Sequence, residues 1–90
     1  MILYVIIECY QDYKRADATP WGIYDTLSDA KKALREAIKE RFDYCFDEMS
    51  ALEQEKWIDK RFKGETYWFD DDGDTITKFY IDKVNYEKSI

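Results

Sequence analysis

The chain has 90 residues, 46% of them hydrophobic and 18% aromatic, and a formal net charge of −6 from 20 acidic and 14 basic side chains. One domain of this size uses nearly all its apolar residues to fold, and the composition excludes a disordered segment. The acidity argues against direct binding to nucleic acid, which needs clustered Lys and Arg. The absence of His, with only Cys9 and Cys45, argues against a zinc site.

The opening run, Ile2 to Tyr10, alternates as a strand. Leu3, Val5, Ile7 and Cys9 point one way, and Ile2, Tyr4, Ile6, Glu8 and Tyr10 the other. Both sets are largely apolar, so a central strand is expected. It shows neither the basic start nor the cleavage site of a signal peptide, and no run approaches the ~20 residues of a membrane span. The polar stretch 11–20 reads as a loop, followed by a short antiparallel strand from Trp21 to Tyr24.

Thr26 and Asp29 then form a helix start, and Leu27, Ala30, Leu34, Ala37, Ile38, Phe42, Cys45 and Met49 recur at helical spacing. Lys31, Lys32, Arg35, Glu36, Lys39 and Glu40 occupy the opposite, solvated face. Ser50 and Glu53 begin a second helix with apolar Leu52, Trp57, Ile58 and Phe62, and Gly64 suits its left-handed C-terminal cap. Residues 65–70 and 75–84 are rich in β-branched and aromatic residues and read as two further strands. The expected fold is therefore α+β, ordered β-β-α-α-β-β, with two helices on one face of an antiparallel sheet of about four strands. Residues 1–90 make a single domain.

Between the last two strands lies the acidic stretch Asp70-Asp71-Asp72-Gly73-Asp74. Aligned as a calcium loop with Gly73 at position 6, it places Trp68 and Phe79 where positions 1 and 12 need oxygen ligands, so it fails that test. Asp-Gly between two alternating runs is instead a hairpin signal. A strict two-residue turn would set Asp71 opposite Asp74, whereas a type I turn with Gly73 in a bulge would not. Both stay open. No metal or cofactor is expected.

Catalysis has little to build on. Neither cysteine has a histidine base, there is no phosphate-binding glycine loop, and carboxylates are too numerous to single out a pair. The expectation is a binding protein, not an enzyme. If the helices cover the Leu3, Val5 and Ile7 face, Tyr4, Ile6 and Tyr10 lie on an open sheet face rich in tyrosine, a composition favoured at interfaces. Residues 28–63 are neutral while the flanking segments carry the negative charge. A local acidic run also occurs at Asp43, Asp47, Glu48, Glu53 and Glu55. Candidate partner-binding residues are thus Tyr4, Tyr10, Asp43, Asp47, Glu48, Tyr67, Asp70, Asp71, Asp72, Asp74 and Tyr80.

The segment YDTLSDAKKAL resembles a turn-and-helix start found in many small bacterial and phage proteins. The whole chain, short, acidic, Tyr-rich and without catalytic motifs, is similar in style to phage-encoded inhibitors of bacterial defence, anti-CRISPR proteins among them. That resemblance implies a cytoplasmic protein that blocks a basic, nucleic-acid-binding surface of a host protein, and it carries over no site residues. The alternative expectation is a homodimeric bacterial accessory protein that self-associates through a Tyr-rich sheet face.

Overall fold

The computed structural model describes residues 1–71 and 75–85, with Asp71 described by its backbone only. In chain order the elements are β1 (Ile2–Gln11), β2 (Ala16–Tyr24), α1 (Leu27–Arg41), α2 (Asp43–Phe46), α3 (Ala51–Lys60), β3 (Phe62–Lys63), β4 (Thr66–Asp71) and β5 (Thr75–Asn85). All strand pairs are antiparallel, in the order β2-β1-β5-β4-β3. The α+β class is as expected, with the helices against one face of the sheet. The fifth strand is β3, two residues that pair Phe62 with Tyr67 and Lys63 with Thr66.

The first hairpin differs from expectation because Asp12 makes the turn tight. Its carboxylate accepts from the backbone N–H groups of Lys14 (2.7 Å) and Arg15 (2.8 Å), while its own N–H donates to the Arg15 carbonyl at 2.9 Å. An Asx turn of this kind needs few residues, so β2 starts at Ala16 and not near Trp21. The same two N–H groups, Lys14 first, hold the Asp12 carboxyl below its ordinary pKa. The β1–β2 ladder shifts register between Ile6 and Ile7. Ile6 pairs with Gly22 and Ile7 with Pro20, which leaves Trp21 as a bulge.

Both helix starts form as the capping patterns predict. Thr26 Oγ1 accepts from the Asp29 N–H at 3.2 Å, and Ser50 Oγ accepts from the Glu53 N–H at 3.2 Å. Gly64 has a φ of 63°, but α3 ends at Arg61, so the left-handed residue serves the turn between β3 and β4. On α1 the residues Ala30, Leu34, Ala37 and Ile38 are buried, whereas Leu27 is 41% exposed.

The core is aromatic. Phe42, in the break between α1 and α2, stacks at 4.6 Å from Phe69 and lies 5.8 Å from Tyr67 and 6.3 Å from Phe79. Trp57 of α3 meets Phe46 edge-on at 4.9 Å, and Trp21 meets Phe79 at 5.8 Å. Each such pair contributes about 0.5–1.5 kcal/mol beyond area burial. The helices are tied together by Glu55, which binds Arg35 and, at 2.8 Å, Lys39; Arg35 also reaches Asp59 at 3.0 Å. These bridges between helices dominate the polar face. The one ion pair there at helical spacing, Lys39–Glu36, is 3.9 Å long.

Candidate binding surfaces

Which sheet face the helices cover follows from β1. Ile6 is 1% exposed and belongs to the core, together with Tyr67 and Phe79 at matching registers. The covered face is therefore that of Tyr4, Ile6, Glu8 and Tyr10, the reverse of the expected orientation. Glu8 explains the reversal. Its carboxylate accepts from Trp21 Nε1 at 2.8 Å and from Arg41 Nε at 3.0 Å, so a residue that looks solvent-facing is satisfied in the covered layer.

The outer face carries Leu3, Val5, Ile7 and Cys9 of β1. Alternation adds Ala18, Pro20 and Ile23 from β2, Ile76, Lys78, Tyr80, Asp82 and Val84 from β5, and Trp68 and Asp70 from β4. Ladder pairing sets these in rows across the strands. Ile7 lies between Pro20 and Tyr80, Val5 between Ile23 and Asp82, and Cys9 between Ala18 and Lys78, which itself faces Trp68. None of them belongs to the core cluster, and Ile23 is 64% exposed. Trp68 holds Lys78 Nζ at 4.0 Å and Lys63 Nζ at 4.7 Å from its ring centroid, cation–π contacts at the margin of the face. The Cys9 thiol lies 3.9 Å from the Tyr80 hydroxyl and, with burial, raises the pKa of Tyr80. Both cysteines are free and half-buried.

The expected tyrosine-rich open face is thus an aliphatic one with Tyr80 as its tyrosine. Tyr4 is half-buried on the covered side, and Tyr10 donates to Asp12 at 3.3 Å from that same side. Tyr67 is corrected outright. It is fully buried against Phe42 in the α1–α2 break, Trp57 of α3 and Phe79 of β5, and no partner can reach it. Burial raises its pKa above the ordinary tyrosine value, and its hydroxyl has no hydrogen-bond partner among the described residues.

The acidic candidates separate. Asp43, Asp47 and Glu48 are exposed on and just after α2, in the helical layer, while Asp70 is exposed on β4 and belongs to the outer-face side. Asp71 pairs with Thr75, not with Asp74 as a strict two-residue turn requires. Asp72, Asp74 and the turn type at Asp72-Gly73 lie outside the described residues, as does the Asp71 side chain. Among the described residues no three His, Cys, Asp or Glu side chains are grouped to hold a metal ion, and no helix is long and apolar enough to cross a membrane.

The residues that sequence reasoning passed over are the aliphatics Leu3, Val5, Ile7, Ile23 and Ile76, together with Trp68. For Leu3, Val5 and Ile7 the signal is the apolar character of both faces of β1, which leaves open which face the helices cover. Comparison with family models, curated proteins and solved structures finds no match to this chain.

Proposed function

We propose that this chain is a non-enzymatic protein-binding domain that docks through the outer face of its sheet. The observation that carries this reading is the set of Leu3, Val5, Ile7, Ile76 and Tyr80, half-buried, with exposed Ile23, on the sheet face that the helices do not cover and outside the core cluster. Each strand residue spans about 4.8 by 3.3 Å of sheet, so the face is on the order of 600 Å² in projection. That approaches the roughly 800 Å² a stable interface takes from each partner.

The net charge of −6 supports a basic partner surface, with long-range attraction speeding encounter and the apolar face supplying affinity. In this proposal the protein is an inhibitor of the kind phages direct at bacterial defence, acting in the host cytoplasm by covering a nucleic-acid-binding surface. The size of the apolar face also favours a second reading, a homodimer of two such faces.

The experiment is sedimentation at low and high salt on the wild type and Ile7→Glu, followed by affinity capture from bacterial lysate with both. A monomer whose salt-sensitive capture of a basic nucleic-acid-binding protein is abolished by Ile7→Glu supports the inhibitor. A salt-insensitive dimer dissolved by Ile7→Glu supports the homodimer. A monomer whose captured proteins are unchanged by Ile7→Glu refutes both.

A further inference from the structure

On the other side of the sheet, residues of α1, the end of α3, β1, β5 and the β3–β4 turn line a groove of about 630 Å³. That volume lies within the roughly 300–1,000 Å³ of small-molecule sites. Its apolar lining includes Tyr4, Leu27, Leu34, Phe62 and Ile81. Leu27 is on the apolar stripe of α1 yet remains 41% exposed, because among the described residues it lines an open groove.

The polar lining is more positive than the protein that bears it. Lys31, Arg35 and Lys83 face Asp59 and Glu65 there, an excess of one positive charge in a chain of net −6. Arg35 is committed to Glu55 and Asp59, which neutralises Asp59 as well. Lys31, Lys83 and Glu65 form no ion pair among the described residues, which leaves the uncommitted lining with one net positive charge. Two exposed, uncommitted ammonium groups beside an open apolar floor complement one chemistry, a single negative head on an apolar tail.

We propose that this groove binds a small aliphatic carboxylate, its head held by Lys31 and Lys83 and its tail laid on Leu27, Leu34 and Phe62. The site is separate from the outer face, so it stands whether or not that face binds a protein.

Calorimetric titration with decanoate, below its micelle concentration, tests this against decyltrimethylammonium, which has the same tail and the opposite charge. Saturable one-to-one binding of decanoate is expected, with the cation binding more weakly. The double variant Lys31→Glu/Lys83→Glu, its fold checked by circular dichroism, should weaken decanoate about tenfold and reverse the preference. Leu27→Asp, at a helix-start position that favours an acid, gives an independent variant and should weaken decanoate about as much. Absence of saturable decanoate binding overturns the proposal. So do equal binding of the two amphiphiles, or decanoate affinity that survives both variants.

Discussion

Removing the hydroxyl of Tyr67 should stabilise the protein. Tyr67 is fully buried, and its Oη has no hydrogen-bond partner among the described residues. A buried hydroxyl left unpaired costs about 1–3 kcal/mol relative to water. Tyr67→Phe removes that cost and keeps the ring that packs on Phe42 (5.8 Å) and Phe62 (5.7 Å). The gap left by one oxygen costs a few tenths of a kcal/mol, at about 24 cal/mol per Å³. The net expectation is a gain of about 1 kcal/mol, or a rise in Tm of about 4–8 °C for a domain of this size. Urea denaturation should show a higher midpoint at unchanged slope.

A second arm uses pH. Burial raises the folded pKa of Tyr67 above the ordinary 10.0. Above pH 10 the unfolded chain releases this proton while the folded chain keeps it, so stability is full below pH 10 and falls as pH rises. The wild type should lose stability over that alkaline range faster than Tyr67→Phe. A variant less stable than the wild type at neutral pH, with the same alkaline slope, would mean that the hydroxyl is satisfied and the reasoning is wrong.

Two further outcomes follow from the polar contacts. Glu8→Ala strands Trp21 Nε1 and Arg41 and should cost about 2–3 kcal/mol in chemical denaturation. Glu8→Gln keeps an acceptor for Trp21 and should cost about half as much; equal losses would show that the Trp21 hydrogen bond contributes nothing, and no loss in Glu8→Gln would show the same of the Arg41 charge. Glu55 has its pKa lowered by Lys39 first and Arg35 next. Its contribution is therefore present above the ordinary value of 4.5 and is lost as pH falls through the lowered folded value. Glu55→Gln should flatten the acid side of the stability profile, weakly and in a salt-sensitive way because the side chain is 39% exposed.

Local chemistry was the most legible part of this chain. Thr26 and Ser50 each act through neighbours within a few residues, so the helix starts were legible before any tertiary contact, whereas the stripe expected to run on to Met49 breaks at Phe42, where a separate α2 begins. Faces were harder. β1 is apolar on both sides, and the choice between them depended on Glu8, whose partners Trp21 and Arg41 are distant in sequence. A glutamate reads as solvent-facing until such partners are found, and the wrong choice carried Tyr4 and Tyr10 to the wrong side. Tyr67 was misplaced for a different reason. Alternation correctly set it against Trp68, but not which of the two faced the helices. The acidic candidates were legible as charges and not as a cluster, because nothing local tells the helical Asp43, Asp47 and Glu48 from Asp70 on the sheet.

The pairing of β1 with β5, from Ile2 with Asn85 to Gln11 with Ile76, has a kinetic consequence. The strand made first gains its central neighbour only when the strand made last has left the ribosome. Until then β1 has only β2 as a sheet neighbour, and Ile6 has neither Ile81 beside it nor Phe79 nearby. An N-terminal fragment ending before β5 therefore lacks the strand that joins the β1–β2 hairpin to β4. Closing so long a loop before any reward arrives places this domain with slow, cooperative folders, despite its small size. Until β5 emerges the nascent chain leaves apolar surface of β1 open, so demand for chaperones should be greatest then.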